Sequence, residues 1–393
     1  MAVIYKKLGE IADISAGGTP KRSNPTYWKN GNIPWVKISD IKGKYLEKTE
    51  EFITEDGLNN SAKLFKKGTL LYTIFATIGE CAILNINAST NQAIAGINVK
   101  SEKVLTEYLY YFLKSIKNTV VNTGRGVAQN NINLSILKNI DVPLPEIEVQ
   151  KKIINLLNKS NELVIKRKSQ IEALDQLTQS VFLEMFGDPI NTKWKTEKLS
   201  EITDVRDGTH DSPKYIQKGY PLVTSKNIKD GEIDLTNVNY ISEEDYEKIN
   251  QRSKVDIGDI IMPMIGTIGN PVIVNVEPNF AIKNVALIKF YPDTCIINIY
   301  LKYLLDSHYL DFVLSKNRRG GTQKFLSLKN IRNMEIPVPP IKLQKDFTKV
   351  IREINEKKKL LNKSLDEMVN AYNSIMQRAF KGELFTEDKV PNH

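Results

Sequence analysis

The chain has few histidines and cysteines, the side chains that hold zinc ions and that serve in many nucleophilic active sites. Its 393 residues include three histidines and two cysteines. His210, His308 and His393 are far apart in sequence, and Cys81 and Cys295 lie in different halves. This spacing does not fit a zinc site or a disulfide framework. We expect both cysteines to be buried apolar residues.

Short motifs of several enzyme classes are also missing from the sequence. There is no GxxxxGK[ST] loop, no GxGxxG after a strand, and no HExxH. NPTYW, residues 24–28, is similar to the Asn-Pro-Pro-Tyr motif with which amino-methyltransferases hold a flipped base. Thr26 interrupts that motif, and no glycine-rich loop for a methyl donor accompanies it. We therefore expect Tyr27 and Trp28 to pack or to contact DNA.

Composition limits the class of protein and of partner. The net charge is +9 and the pI is near 9.1, which favours a polyanionic partner such as nucleic acid. No apolar run is long enough to span a bilayer, and the N-terminus lacks a signal-peptide pattern, so we expect a cytoplasmic protein. A chain of 393 residues suits two or more domains.

The second half of the chain repeats the first. Segments recur in the same order and at a nearly constant separation, which indicates the duplication of a unit of about half the chain. The paired segments are 6–13 with 197–204, 33–42 with 220–229, 66–80 with 256–270, 124–134 with 318–328, and 142–153 with 336–347.

Each copy begins with an α+β pattern. Short apolar runs such as TLLYTI and VALIKF predict strands, whereas TEYLYYFLKSIKN and IYLKYLLDSHYLDFVL predict amphipathic helices. The copies differ most at residues 17–32 and 207–219, which are rich in Gly, Pro, Asn and basic residues. These stretches predict exposed loops that could vary recognition on a shared scaffold.

A long helix follows each α+β part. From residue 146 to about 186 there is no Pro or Gly, and GDP at 187–189 then ends the helix. The second helix runs from 342 to about 381. Each has about 40 residues and so a length of roughly 60 Å. Their apolar stripes, in which we include Leu163, Leu177 and Val350, need a partner, and we favour the other helix over the helix's own domain.

The repeat predicts five parts of the chain. They are a recognition domain at 1–145, a central helix at 146–188, a second domain at 189–339, a C-terminal helix at 340–382, and a tail at 383–393.

This organisation resembles the specificity subunit of type I restriction-modification enzymes. The features that carry the resemblance are KLGEIADI at 7–14, LEMFGDP at 183–189, AFKGELF at 379–385 and two Pro-rich joints that each end in a glutamine. The joints are VPLPEIEVQ at 142–150 and IPVPPIKLQ at 336–344. The resemblance covers essentially the whole chain. It implies an α+β fold of two repeated target recognition domains, joined by two long antiparallel helices that form a coiled-coil spacer. It further implies a non-catalytic chain in which each domain reads one half of an asymmetric bipartite DNA site.

The resemblance also implies the partners. These are double-stranded DNA and methyltransferase subunits, which dock on the helices and carry the S-adenosylmethionine chemistry. Those subunits can recruit ATP-dependent restriction and translocase subunits, so ATP and magnesium are expected there, with no cofactor in this chain and no membrane contact. Two alternatives stay open: a DNA-binding adaptor or regulator outside a restriction system, and a DNA methyltransferase whose catalytic domain is not recognised.

Candidate DNA contacts come from the polar loops at equivalent positions of the two copies. Phosphates bind Lys, Arg and small hydroxyls, and base edges bind Arg, Lys, Asn and Gln. The first copy supplies Lys21, Arg22, Lys37, Ser39, Lys42, Arg125, Gln129 and Asn130; the second supplies His210, Lys214, Ser225, Lys226, Asn227, Arg318, Arg319, Gln323 and Lys324.

Overall fold

The chain folds into two compact units, and each contains part of both long helices. The computed structural model describes residues 4–124, 131–229, 231–265, 268–316 and 326–385. The first unit comprises residues 1–168 and 363–393, and the second comprises residues 169–362. No helix within the described ranges combines the length and the apolar composition needed to cross a bilayer.

Alternating and wholly apolar runs form the strands of the first unit, as predicted for TLLYTI and its neighbours. A five-stranded sheet has the order β2-β10-β7-β8-β4, a four-stranded sheet has the order β5-β3-β9-β6, and β1 pairs with β11. The bounds are β1 Ile4–Lys7, β2 Ala12–Ala16, β3 Ile33–Val36, β4 Tyr45–Leu46, β5 Glu51–Ile53, β6 Leu64–Phe65, β7 Leu70–Thr73, β8 Cys81–Leu84, β9 Ala88–Thr90, β10 Ile94–Val99 and β11 Asp141–Leu144.

The second unit repeats this topology, but each of its two larger sheets has one strand fewer among the described residues. Its sheets have the orders β13-β21-β18-β19 and β17-β14-β20, with the pairs β12-β22 and β15-β16. The bounds are β12 Thr196–Lys198, β13 Thr203–Asp207, β14 Tyr220–Val223, β15 Ile228–Lys229, β16 Glu232–Ile233, β17 Asn239–Ile241, β18 Ile260–Pro263, β19 Val272–Ile273, β20 Ala281–Ile282, β21 Val285–Phe290 and β22 Glu335–Pro337.

Helices cover the sheets. The predicted helix at 299–314 is two helices, because Ser307 interrupts it: its hydroxyl donates to the carbonyl of Leu304 (2.7 Å) and accepts from the amide of Tyr309 (3.2 Å). The helices are α1 Leu8–Ile11, α2 Glu55–Ser61, α3 Thr106–Ser115, α4 Lys117–Gly124, α5 Leu134–Lys138, α6 Ile147–Phe186, α7 Leu199–Ile202, α8 Glu243–Ser253, α9 Asn298–Leu305, α10 His308–Lys316, α11 Leu328–Arg332 and α12 Ile341–Phe380.

The two long helices are present and run antiparallel within each unit. In the first unit, Tyr372 and Met376 near the end of α12 share a buried cluster with Ile153 near the start of α6. In the second unit, the ring of Phe186 at the end of α6 lies 5.1 Å from that of Phe347 near the start of α12. These clusters also include residues of the adjoining α+β part. Each helix therefore packs on the other helix and on its own domain.

The stripe of buried residues differs in detail from the predicted one. Leu163, Leu177 and Val350 are exposed by 55%, 46% and 36%, so their placement in the buried stripe was wrong. Leu157 and Val164 of α6, which belong to the same predicted stripe, are buried as expected. Each long helix packs both on an α+β domain and on the other helix. The buried face therefore shifts around the helix, and a single 3.6-residue period does not predict that shift.

The Pro-rich joint attaches each long helix to its domain through a buried glutamine. Gln150 accepts from the amide of Leu105 (3.0 Å) and donates to the carbonyls of Lys103 (2.8 Å) and Pro145 (2.9 Å). The hydroxyl of Tyr108 donates to the carbonyl of Pro143 (2.8 Å). These bonds fix the first turn of α6 against the start of α3.

The second joint repeats these bonds. Gln344 accepts from the amide of Ile297 (2.8 Å) and donates to the carbonyls of Cys295 (3.0 Å) and Pro339 (2.8 Å). Tyr300 donates to the carbonyl of Pro337 (2.9 Å). Both glutamines are fully buried. Cys295 is exposed, contrary to our expectation, because it lies in the loop whose backbone Gln344 holds; Cys81 is buried as expected.

Candidate nucleic-acid interface

Sheet topology gathers the polar loops of the first unit along one edge. The loop after β2 begins where the amide of Gly18 donates to the carbonyl of Thr90 (2.8 Å), and the turn after β3 follows the carbonyl of Val36, which accepts from Asn91 (3.1 Å). The turn after β7 joins them, because the amide of Ile74 donates to Ala93 (2.8 Å). We call this set of loops the loop edge of the unit.

The second unit has an equivalent loop edge. The amide of Thr209 donates to the carbonyl of Ile282 (3.0 Å), and that of Lys283 donates to Val223 (2.9 Å). The end of β18 lies beside the start of β21, where Pro263 pairs with Val285. Loops that differ in sequence therefore start from the same backbone positions in both units.

Seven predicted contact residues lie outside the described residues: Arg125, Gln129, Asn130, Arg318, Arg319, Gln323 and Lys324. The described residues that follow them are held at the loop edges. The amide of Ile132 donates to the carbonyl of Ile74, and the amide of Leu326 donates to the carbonyl of Met264, both at 3.0 Å.

Arg22, in the variable loop of the first unit, stacks on Trp28 of the same loop and on Trp35 of β3. Its guanidinium carbon lies 3.7 Å from the ring centroid of Trp28 and 4.8 Å from that of Trp35, and the two indoles meet edge to face at 5.0 Å. Such cation–π contacts orient the guanidinium as well as stabilise it. Asn24 caps the 3-10 turn Pro25–Tyr27, which follows it, by accepting from the amide (3.1 Å) and hydroxyl (2.9 Å) of Thr26. The carboxamide oxygen of the NPTYW segment is therefore occupied within its own turn.

Two carboxylates oppose the positive charge of this region. Glu51 pairs with Arg22 and, at 2.9 Å, with Lys37, and Glu50 lies 3.1 Å from Lys37. The hydrogen bond from Arg22 holds the pKa of Glu51 below its ordinary value, and the hydrogen bond to Glu51 raises the pKa of Lys37. The carboxylates of Glu50 and Glu51 therefore partly offset the positive charges of Arg22 and Lys37.

The remaining candidates of the first unit point to solvent. Lys21, Ser39 and Lys42 are exposed, and within the described part of the chain their side chains have no hydrogen-bond or ion-pair partner. Lysine side chains of this kind can approach phosphates without breaking an internal ion pair.

His210 in the second unit is bound between two acceptors. Its Nδ1 lies 2.9 Å from Oδ1 of Asn284, and its Nε2 lies 2.8 Å from Oδ2 of Asp207. Both ring nitrogens donate only in the imidazolium form, so the hydrogen bonds to Asn284 and then Asp207 raise the pKa of His210. Asp207 also pairs with Arg252. The arrangement favours the protonated form of His210 at the loop edge.

The other candidates of the second unit lie in the 3-10 turn after β14, except for Lys214, which lies in the variable loop before β14. Asn227 is 5% exposed; its carboxamide accepts from the amide (3.1 Å) and hydroxyl (3.0 Å) of Thr224 and donates to two loop carbonyls. Its hydrogen bonds therefore shape the turn. Lys214 and Lys226 are exposed, Ser225 is half-buried, and none of the three has a side-chain partner among the described residues.

Several residues at the loop edges were not predicted from sequence. Asn284, which has φ +57°, orients His210, and Lys283 donates to the hydroxyl of Ser212 (2.7 Å). Phe75 and Ile265 are exposed apolar residues in the turns after β7 and β18. The apolar residue that directly follows a predicted strand in both copies, in TIFATIG and PMIGTIG, was the signal that could have identified the last two.

The loop edges do not have the appearance of a metal centre. Among the residues that the structure describes, no group of three or more His, Cys, Asp and Glu side chains could hold a metal ion. The edges offer solvent-facing lysines, an arginine stacked on indole rings, a histidine and polar turns. Side chains of these kinds bind phosphates and base edges.

Comparison with known proteins assigns the chain to a family. A model of the type I restriction modification DNA specificity domain matches residues 3–173 and again residues 191–370, which confirms the duplication. The MjaIX type I restriction enzyme specificity subunit of Methanocaldococcus jannaschii is 26% identical over 98% of this chain and 94% of its own. The EcoBI type I restriction enzyme specificity subunit of Escherichia coli is 24% identical, and the alignment covers 98% of this chain and 87% of that subunit.

Two solved structures share the fold. A chain from a structure concerned with complex assembly and conformational transition of a type I restriction-modification system has a TM-score of 0.63 at 20% identity, with 98% of this chain and 100% of that chain covered. The S subunit of a type I restriction-modification system from M. genitalium has a TM-score of 0.52 at 17% identity. The match covers 97% of this chain and 96% of that chain. With two family domains, two repeated sheets and two long helices, the chain belongs to the type I restriction-modification DNA specificity family.

Proposed function

We propose that the two loop edges are separate DNA readers, each recognising one half of an asymmetric bipartite site. The observation that carries this proposal is the recurrence of one scaffold with different side chains at equivalent positions. Arg22 stacks between indoles in the first unit, whereas the corresponding loop of the second unit carries His210 between Asn284 and Asp207. Different side chains on equal backbones should bind different bases.

The long helices are proposed as the spacer between the readers. Each is a continuous helix of 40 residues, and each is tied to its reader by a buried glutamine. A stiff element with a fixed attachment can set a distance, which a flexible linker cannot. The helices are also the proposed docking surface for methyltransferase subunits.

In this proposal the chain recognises DNA and its partners perform the chemistry. S-adenosylmethionine would bind to the methyltransferase subunits, and ATP with magnesium to restriction and translocase subunits where these join the complex. The family membership and the complex named for a solved relative support this division. No observation on the molecule favours a regulator outside a restriction system or a methyltransferase domain of its own.

Radiolabelled methyl transfer tests the division of labour. The chain alone should transfer no methyl group from S-adenosylmethionine to DNA, and adding the methyltransferase subunit encoded by the neighbouring reading frame should produce sequence-specific transfer. Methyl transfer by the pure chain alone would refute the proposal.

Exchanging one recognition domain for that of a relative tests whether the two readers act independently. Replacing residues 1–142 with the matching part of another family member should change the bases of one half-site and leave the other unchanged. Sequencing of methylated genomic DNA reads both half-sites at once. A simultaneous change in both halves would show that the readers are not independent.

A further inference from the structure

An apolar side chain projects from each otherwise polar loop edge. Phe75, in the turn after β7, is 40% exposed, and Ile265, at the equivalent position after β18, is 41% exposed. Their neighbours on the β-strand side, Ile74 and Met264, are each only 3% exposed. The exposed apolar residue is thus a local feature of the turn, and it recurs although its identity differs between the copies.

The turn that carries Phe75 is firmly anchored. The hydroxyl of Thr73 donates to the carbonyl of Thr77 and accepts from the amide of Glu80 (2.9 Å). The amide of Gly79 donates to the carbonyl of Thr73 (3.0 Å), and Ile78 is buried in the core. A side chain on such a turn loses little conformational entropy when it binds a partner.

The backbone at the tip is also unusual. Ala76 has φ +58°, the left-handed region that residues with a Cβ seldom occupy. Strained backbone persists where the surrounding structure imposes it, and such sites are concentrated in functional regions. In this turn the residue with the strained backbone directly follows Phe75.

We infer that Phe75 and Ile265 are specificity-determining residues that make apolar contacts with bases of the two half-sites. The inference rests on the proposed function, because it places both residues on the DNA-facing edge of their units. Apolar side chains contact the thymine methyl group in the major groove or wedge between base steps in the minor groove. Neither contact can be made to a phosphate, so these residues contribute to specificity and not to general affinity.

The second unit offers a matched pair of substitutions for the test. Ile257 and Ile265 flank β18 at its two ends, and Ile257 is 65% exposed, but only Ile265 lies at the loop edge. Ile265→Ala, Ile257→Ala and Phe75→Ala are each assembled with the methyltransferase subunits. Affinity is measured for the cognate site and for unrelated duplex DNA, and methylated sites are mapped by sequencing.

Ile265→Ala and Phe75→Ala should each lower the ratio of cognate to unrelated affinity by about 5- to 100-fold, the range for one lost base contact. Affinity for unrelated DNA should not change, and each variant should relax the sequence of one half-site only. Ile257→Ala should match the wild type. Equal affinity ratios for Ile265→Ala, Phe75→Ala and the wild type would overturn the inference.

A loss of affinity for cognate and unrelated DNA alike would also overturn it, because that result indicates a damaged fold or a general contact. Failure of the proposed function gives a separate result, in which the wild-type complex itself shows no preference for any duplex. Cognate sites with deoxyuridine in place of thymidine distinguish the two kinds of contact. A methyl contact makes wild-type binding sensitive to the replacement, and a wedge does not.

Discussion

At the scale of single residues, hydrogen-bond partners determine which basic groups are available to DNA. Arg22 and Lys37 share the carboxylate of Glu51, whereas Lys21 and Lys42 face solvent without a partner among the described residues. Exposed ion pairs contribute little to stability, so carboxylates near Arg22 and Lys37 mainly reduce the local positive potential. We therefore expect unequal contributions from four side chains that look alike in sequence.

Lys21→Ala and Lys42→Ala should each weaken DNA binding by the complex to all sequences by a similar factor. Each lost phosphate contact should also reduce the slope of log affinity against log salt by about 1. Fluorescence anisotropy at several salt concentrations measures both quantities. Lys103→Ala is the control, because Lys103 follows the opposite end of β10 from the loop edge. An unchanged salt slope in both test variants would remove these lysines from the interface.

His210 should give the loop edge of the second unit a charge that depends on pH. Its pKa is raised from 6.5 by hydrogen bonds to Asn284 and Asp207, so the folded state binds the proton more tightly than the unfolded state. Protonated His210 contributes its full stabilisation of the folded state below about pH 6.5, the pKa of this residue in the unfolded chain. This contribution is lost as the pH rises through the higher pKa of His210 in the folded state. DNA affinity should fall over the same interval, because the imidazolium becomes neutral.

NMR titration of the imidazole measures this pKa directly. Asn284→Ala should move the midpoint back toward its ordinary value, because it removes the largest cause of the shift. His210→Gln should abolish the associated pH dependence of DNA binding. A His210 midpoint at or below 6.5 in the wild type would contradict this interpretation.

At the scale of elements, the glutamine joints connect the long helices to the readers. Gln150 and Gln344 each make three hydrogen bonds with backbone groups while fully buried. A buried amide or carbonyl that loses its partner costs about 1–3 kcal/mol. The joint therefore depends on one side chain that satisfies three backbone groups together.

Gln150→Ala should lower the free energy of unfolding by about 2–4 kcal/mol, because several buried backbone groups lose their partners. Chemical denaturation followed by circular dichroism measures the change. Gln377→Ala, at an exposed position of α12, is the control and should change the value by less than about 0.5 kcal/mol. Equal stabilities for the two variants would show that water or a rearranged backbone replaces the glutamine.

At the scale of the whole molecule, the proposed role of the helices is to set the separation of the half-sites. Inserting four residues near Ser160, with a matching insertion near Lys357, adds roughly 6 Å to each helix. With base pairs stacked at about 3.4 Å, the half-site separation should grow by about two base pairs if the helices run along the DNA. The bases within each half-site should not change, because no loop is altered.

Sequencing of methylated genomic DNA from cells that express the variant with its methyltransferase partner measures this separation. Four residues exceed one helical turn by roughly 40°, so some repacking and a loss of stability are expected. Unchanged spacing in a folded, active variant would show that the helices do not set the distance.

The sequence alone determined the duplication, the α+β class, the two long helices and the family. These features depend on local signals: apolar periodicity, the absence of Pro and Gly from residues 146–186, and segments recurring in order. Such signals survive without knowledge of which distant residues meet. The ends of the helices were likewise predictable, because Pro and Gly act on the backbone next to them.

Only the tertiary structure decided which loop residues face solvent. Asn227 looked like a base-reading side chain, but the turn around it uses all of its hydrogen bonds. The sequence did not indicate that Phe75 is 40% exposed. The pairing of Arg22 with Glu51 and of His210 with Asn284 joins residues far apart in sequence. The sequence shows which side chains of the loops are polar or charged. The register of the strands that carry the loops decides which of these side chains come into contact and form hydrogen bonds or ion pairs.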